Sequence, residues 1–391
     1  MLTLRGPRRV GKTVALKLLV RHLIEDAGWP PRCITWTALD TLRTLAQLEE
    51  RLVAVARRYR PRLLLVDEVT AVVGWQRVVK KLVDDGTLAR CCVVLTGSSA
   101  HDLKAGAERM AGRRGVVRDP DRVLLPMGYL EFREQARRVA VADSAADFLR
   151  VGGFPFRVEQ HLRGVGDPLA QMQVFDDVLL YEVARRRIDR NLALEVVGRL
   201  AAIGASAISY HAFAKPLSAT PVTVRRVLDA LGDAFLLATV SSYDTARNRV
   251  APKKDRKLAW IDPALGYLAL QLRQGEAAPE AVRAEHAVGA ALLAAYEGRL
   301  FEGLSAPRQV FTWKSSGGNE VDYLVVDRAR KLRLPVEVKW QASIADWDFQ
   351  VMERAFHAGI LVTPTTTRAR TQSEALDFAA FAQRTASARA G

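Results

Sequence analysis

Two constellations in this chain have residue types and spacings that could do chemistry. The first opens with Gly6, Pro7, Arg8, Arg9, Val10, Gly11, Lys12 and Thr13, a run that fits G-x-x-x-x-G-K-[ST] and leads into Val14. Glycines at both ends let main-chain N–H groups close on phosphate oxygens, a lysine reaches the β- and γ-phosphates, and a hydroxyl ligates Mg²⁺. The spacing predicts a cradle for a nucleoside triphosphate, with ATP and Mg²⁺ as ligands. A motif of this length also arises by chance, so two further stretches matter. In Arg62–Glu68, Arg-Leu-Leu-Leu-Val-Asp-Glu, an apolar run with the look of a buried parallel strand ends in two carboxylates. There Asp67 would hold the metal through water and Glu68 would polarise an attacking water. The run Cys91–Leu95 ends in Thr96-Gly97-Ser98-Ser99, a polar tip placed to sense the γ-phosphate through Ser98.

These side chains need a scaffold that brings several strand ends to one edge. From Leu2 to about Leu130 the pattern alternates strand and helix, as a parallel α/β sheet requires. Strands are expected at Leu2–Leu4, Cys33–Thr37, Leu63–Val66, Cys91–Leu95 and Val123–Leu125, with helices at Thr13–Ile24, Thr41–Arg58 and Trp75–Asp85. Ligands in such sheets bind at the carboxyl ends of the strands, where Gly11, Asp67 and Ser98 would fall. Trp75 reads as a packing residue.

Composition narrows the class. The 391 residues suffice for two or three cores, 49% are hydrophobic, and no apolar run approaches the ~20 residues of a membrane-spanning helix. Lys and Arg total 58 against 43 Asp and Glu, a net charge of +15, which suits either a polyanionic partner such as DNA or a solvated basic surface. Cys33, Cys91 and Cys92 lie at or in expected strands without metal-ligand spacing and read as buried core thiols. The chain enters the phosphate loop after five residues, leaving no room for a signal peptide, so a cytoplasmic location with no membrane partner is expected.

Beyond the sheet the reading turns helical. Gly152-Gly153-Phe154-Pro155 is a turn between two helical patterns, and Val174–Arg190 is amphipathic. Three short helices follow, at Leu192–Gly204, Tyr210–Leu217 and Thr220–Leu231, the last capped by Thr220 or Thr223 and showing Arg225 and Arg226 outward. A strand pair, Leu236–Tyr243 and Lys257–Trp260, is joined by a loop carrying Arg247, Arg249, Lys253 and Lys254. That order predicts a winged helix, which serves either to bind DNA or as a protein-interaction module. Residues Arg273–Glu280 suit a linker, and the tail from Pro364 is expected to be helical in part and then frayed.

The second constellation lies in the last α/β stretch. Glu320-Val321-Asp322 belongs to one expected strand and Glu337-Val338-Lys339 ends the next. Residues i and i+2 share a strand face, so Glu337 and Lys339 would point the same way, beside Asp322. Such a pair of carboxylates could bind Mg²⁺ or Mn²⁺, with Glu285 from the preceding helix adding an oxygen and Lys339 stabilising charge on a phosphorane. A cross-strand ion pair is the alternative.

GPRRVGKT, LLLVDE, TGSS, the Leu-Pro-Met-x-Tyr-Leu-Glu-Phe stretch, GGFP, NEVDY and PVEVK together resemble the prokaryotic AAA+-type ATPases whose C-terminal half has a restriction-endonuclease-like PD-(D/E)xK core. The resemblance implies an α/β fold: an ASCE P-loop ATPase core, a helical and winged-helix region, and a small C-terminal α/β nuclease-like domain. It divides the chain at 1–135, 136–191, 192–262 and 275–391. It carries nucleotide roles to Gly11, Lys12, Thr13, Asp67 and Glu68, a sensor role to Ser98, and nuclease-like roles to Asp322, Glu337 and Lys339. Arg113, in the basic segment Arg109–Gly115, would be an arginine finger completing a neighbouring subunit's site in a homo-oligomer, or else is simply exposed. Proteins of this kind carry a few tens of residues before the loop, so a late start or an incomplete adenine pocket is expected. The function implied is an ATPase acting on DNA, with an ATP-gated metal-dependent nuclease or a non-catalytic nucleotide-binding scaffold as alternatives.

Overall fold

Apolar strands alternating with amphipathic helices build the first of two units, Met1–Leu125, and the second runs from Pro126 to Gly391. The computed structural model describes residues 1–97, 112, 113, 115, 120–165, 167, 169–251, 255–297 and 307–390, without the side chains of 389 and 390. In the first unit the order is β1 (Leu2–Arg5), α1 (Lys12–Glu25), β2 (Ile34–Ala38), α2 (Leu45–Tyr59), β3 (Leu63–Asp67), α3 (Trp75–Asp84), β4 (Cys92–Thr96) and β5 (Asp121–Val123). All five strands are parallel, in the order β2-β3-β4-β1-β5. The architecture is the α/β parallel sheet of a P-loop core.

Burial on both faces explains why Leu63–Val66 reads as an unbroken apolar run. Leu64 and Val66 pack with Leu48, Leu52, Trp75 and Leu82 on one side, while Leu63 and Leu65 meet Leu16 and Val94 on the other. Helix α2 begins at Leu45, not Thr41, because the Thr44 hydroxyl accepts the Gln47 N–H and the Gln47 side chain returns to the Thr44 N–H. The strand expected at Val123–Leu125 lies slightly earlier, where Leu124 N–H donates to the Arg5 carbonyl just past the ladder. The cysteines depart from the expectation of core thiols. Cys92 is exposed at the open start of β4, and Cys33 and Cys91 are only partly covered.

The second unit begins with helices α4 (Tyr129–Arg138), α5 (Ala145–Val151), α6 (Pro155–Leu162), α7 (Gln173–Arg185), α8 (Arg190–Ile203), α9 (Tyr210–Ala214) and α10 (Pro221–Asp233). Thr220, not Thr223, caps α10, its hydroxyl accepting the Thr223 N–H. Strands β6 (Leu237–Ser241), β7 (Tyr243–Asp244), β8 (Arg249–Val250) and β9 (Arg256–Trp260) pair antiparallel as β6 with β9 and β7 with β8. Helices α11 (Leu268–Gln271) and α12 (Glu280–Leu292) precede β10 (Val310–Lys314), β11 (Glu320–Asp327), β12 (Leu332–Val338), α13 (Gln350–Phe356), β13 (Gly359–Thr363), β14 (Arg368–Ala369), β15 (Ser373–Asp377) and α14 (Phe378–Ala390). The six-stranded sheet runs β10-β11-β12-β13-β15-β14, with β12, β13 and β15 mutually parallel and the remaining pairs antiparallel.

Two segments are more ordered than their composition suggests. The tail supplies β15, in register with β13 from Gly359↔Ser373 to Thr363↔Asp377, and then α14, whose Phe378 ring lies 5.1 Å from Tyr129 of α4. Within Arg273–Glu280, Ala278 is buried and its N–H donates to the Gly266 carbonyl. The Gly-Gly-Phe-Pro turn joins α5 to α6 as expected, and its anchor is remote in sequence. Asp262, itself buried, accepts the Gly153 N–H at 2.7 Å and the Ala264 N–H at 2.9 Å.

Candidate functional site

The turn from β1 into α1 is shaped by close approach. A Cβ on Gly6 would stand 2.3 Å from the Leu124 carbonyl oxygen, which only glycine permits. Gly11 sits at φ 97° and Arg9 at φ 64°, so the loop curls with two residues in the left-handed region before the helix opens. Pro7 and Val10 are buried under it, while Arg8, Arg9, Thr13 and Val14 face outward. Lys12 folds back and donates to the carbonyls of Gly6 and Pro7, each at 2.9 Å. Burial pulls its pKa down to about 8, against the opposing carboxylates of Glu68 and Asp67.

The ends of β3 and β4 meet beside this loop. Asp67 accepts the Thr13 hydroxyl on Oδ2 at 2.8 Å and the Thr96 hydroxyl on Oδ1 at 2.5 Å. Thr96 in turn accepts the Glu68 N–H at 3.1 Å. Glu68 is held left-handed, at φ 57° and ψ 46°, a conformation that costs a non-glycine residue about 1 kcal/mol or more. Thr70 donates to its Oε1 at 3.0 Å. Lys12, Thr13, Asp67 and Glu68 are thus brought together at one strand edge. A hydroxyl beside a carboxylate is the hard oxygen set Mg²⁺ prefers, so these residues fit the metal of a bound nucleotide. Thr96 and Thr70 carry the network, although the sequence pointed to Ser98, which lies outside the described residues. Their signal was present: Thr96 closes the apolar run, and Thr70 stands two residues past Glu68. Arg113 makes a two-pronged pair with Asp84 at the end of α3, at 2.5 and 3.1 Å.

In the second unit the arginines expected to meet DNA are divided. Arg225 and Arg226 are exposed on α10, the first 3.5 Å from Asp229, the second donating to the Arg186 carbonyl. Arg247 and Arg249 are exposed at the β7–β8 tip; Lys253 and Lys254 lie outside the described residues. The tip is tied to the large sheet: Asn248 accepts Arg328 on its carbonyl and Arg333 on Oδ1, at 2.9 and 3.1 Å, and Thr245 accepts the Trp313 indole N–H. Arg328 and Arg333, both exposed, therefore join Arg247 and Arg249 in one basic surface.

The second carboxylate constellation also assembles, with one participant absent from the sequence reading. Asp322 N–H donates to Glu337 Oε2 at 3.2 Å, Val338 N–H to Asp322 Oδ2 at 2.9 Å, and Lys339 lies 3.2 Å from Glu337 Oε1. Into this group comes Lys257 from β9, bonding both Glu285 and, at 2.8 Å, Asp322 Oδ1. Among the described residues no group of three or more His, Cys, Asp or Glu side chains is arranged to hold a metal ion. Burial would lower the Lys257 pKa, but Asp322 and Glu285 raise it above its ordinary value. Burial lifts Glu285 to about 8 against the pull of Lys257, and burial with the Asp322 charge lifts Glu337 to about 7.

Residues 1–134 match the family model described as an AAA domain. The loop, the carboxylate pair and the parallel sheet described above all lie inside that match. An uncharacterised protein of Haemophilus influenzae is 28% identical over 219 residues, 51% of this chain and 50% of that protein. The chain thus spans about half the length of the curated relative it matches. Among solved structures, the Aeropyrum pernix Orc1 protein in complex with DNA is 12% identical over 74% of this chain and 86% of its own, at a TM-score of 0.33. Cdc6p from Pyrobaculum aerophilum is 12% identical over 70% and 86%, at 0.31. No helix among the described residues is long and apolar enough to cross a membrane.

Proposed function

We propose that this chain binds Mg-ATP at the AAA-type core and hydrolyses it, and that the second unit contacts DNA. The observation that carries the reading is the linked set Thr13–Asp67–Thr96–Glu68 next to the buried Lys12 ammonium. Bound triphosphate would draw Lys12 from the Gly6 and Pro7 carbonyls onto the β- and γ-phosphates, replacing two neutral acceptors by charged ones. The Thr13 hydroxyl, now given to Asp67, would turn to Mg²⁺ while Asp67 holds a metal-bound water. Glu68, fixed by its own N–H on Thr96 and its carboxylate on Thr70, would orient a water toward the γ-phosphorus and take its proton as the bond to the ADP oxygen breaks. Contact with DNA rests on the joined basic surface of Arg247, Arg249, Arg328 and Arg333 in a chain of net charge +15. An arginine-finger role for Arg113 in a homo-oligomer would require its Asp84 pair to open.

The test is ATP turnover with and without DNA. Lys12→Ala is expected to abolish nucleotide binding; Glu68→Gln is expected to keep binding while turnover falls at least about a hundredfold. Turnover in Glu68→Gln within a few-fold of the wild-type protein would overturn the assignment.

A further inference from the structure

The carboxylates around Asp322 are arranged for a cation, and the chain supplies one. Asp322 comes from β11, Glu285 from α12 and Glu337 from β12, whereas Lys257 comes from β9, outside the sheet that holds the two aspartate and glutamate strands. Its side chain is 4% exposed. The ammonium bonds Glu285 and Asp322 Oδ1, with the Tyr323 ring 4.8 Å away on a further side. Every oxygen of the Asp322–Glu337 pair already has a donor: Lys257 and Val338 N–H on Asp322, Lys339 and Asp322 N–H on Glu337. A restriction-endonuclease-like centre needs Asp322 and Glu337 oxygens turned to a divalent ion in shared space. Here that space is taken by the Lys257 ammonium on Asp322, whose charge, together with that of Lys339 on Glu337, would repel a divalent ion. The donor set has the right chemistry for Mg²⁺, but the arrangement does not fit it. His286, next to Glu285 and buried with no hydrogen-bond partner on either ring nitrogen, adds no charge to the balance; burial, then Lys257, lowers its pKa to about 3.

We infer that the Lys257 ammonium takes the position of a divalent cation in this cluster, making it a closed internal ion site from which Mg²⁺ and Mn²⁺ are excluded as the chain is folded. This goes beyond the nucleotide and DNA reading, since it concerns residues that reading does not use. Lysine reaches the site because β9 presents alternate residues to opposite faces: Arg256 stacks on Tyr210 at 3.7 Å while Lys257 turns the other way, into the carboxylates.

The test measures Mn²⁺ uptake by the full, nucleotide-free chain, by electron paramagnetic resonance and calorimetry. Wild-type protein and Asp322→Asn are expected to bind Mn²⁺ identically up to about 1 mM, the weak end of the range for carboxylate sites. Lys257→Met is expected to gain one further Mn²⁺ with a rise in Tm on adding the ion, and Lys257→Met/Asp322→Asn to lose both. A wild-type Mn²⁺ site removed by Asp322→Asn would overturn the inference, as would a folded Lys257→Met that gains none. If Lys257→Met folds only with Mn²⁺ present, that rescue is the expected result in another form. If it folds under neither condition, the wild-type against Asp322→Asn comparison decides alone.

Discussion

Gly153 gives the sharpest test of how the second unit is held together. An added Cβ there would stand 1.9 Å from the Met127 carbonyl oxygen and 2.8 Å from the Met127 N and C atoms. Backbone atoms cannot rotate away as a flexible side chain can, so the turn would have to open by more than ~1 Å to reach ordinary contact distance. Two hydrogen bonds lie in the way: Met127 N–H to the Gly153 carbonyl at 2.8 Å, and Gly153 N–H to Asp262 Oδ2 at 2.7 Å. Leaving buried groups unpaired costs about 1–3 kcal/mol each, and overpacking a further 1–3 kcal/mol. Gly153→Ala is therefore expected to cost at least about 3 kcal/mol, a large share of the ~5–15 kcal/mol of a typical domain. Gly164→Ala is the control: it sits at φ 62° with nothing within 4 Å, so only the backbone penalty of about 1 kcal/mol applies. Denaturant unfolding, followed by fluorescence with m-values compared, reads both. If Gly153→Ala costs no more than Gly164→Ala, the close-approach reasoning is refuted and the Gly-Gly-Phe-Pro turn must be explained otherwise.

Asp262 adds a pH dependence with a definite sign. Burial raises its pKa from 3.8 to about 6, with the Gly153 and Ala264 N–H groups and Arg157 pulling the other way. The folded chain then holds the extra proton between these values, so this group's stabilisation is full below about pH 4 and lost as pH rises through about 6. The stability of wild type relative to Asp262→Asn should fall by roughly 2–3 kcal/mol from pH 4 to 7, read by denaturant titration at each pH. A flat difference would mean the carboxylate stays ionised on its two N–H donors throughout. For the basic surface, Arg328→Ala and Arg333→Ala are expected to weaken DNA binding as Arg247→Ala does, each lowering the log–log salt slope by about one. Slopes unchanged by the two sheet arginines would mean that Arg328 and Arg333 make no DNA contact.

Much of the first unit was legible because its information is local. Leu63–Val66 is apolar on every residue since both faces are covered, and the chemistry-bearing residues follow at once, at Asp67 and Glu68. The loop before α1 is similar, a contiguous run whose residue types carry their roles. In the second unit, strand spacing was enough to set Asp322 beside Glu337, because neighbouring antiparallel strands put such residues opposite one another. What stayed hidden depends on partners far along the chain. Asp262 looks like an ordinary turn residue, and nothing near it names Gly153, 109 positions away. The tail reads as helical in part and then frayed because Ala, Arg and Ser dominate its end, yet Phe378 and Phe381 are buried and anchor α14. Thr44 displaced the start of α2 by a capping preference that periodicity alone does not weigh.

Lys257 shows why such hidden partners matter for function as well as for fold. Read locally, Arg256-Lys257 are two more charges beside a basic loop, and the carboxylates downstream are a metal site awaiting an ion. Strand alternation separates them: Arg256 closes on α9, and Lys257 crosses to α12 and β11. The Ser242–Thr312 bridge and the Trp313–Thr245 bond run the same way, so the β6–β9 hairpin is laid along the edge of the large sheet. A cut between Asp262 and Glu280 would therefore leave Asp322 and Glu285 without their cation, and the buried carboxylates would have to take up protons or an outside ion. The residues that make this centre resemble a metal site are thus the same ones that bind the helical region and the sheet into a single unit, and whichever cation sits among them decides both.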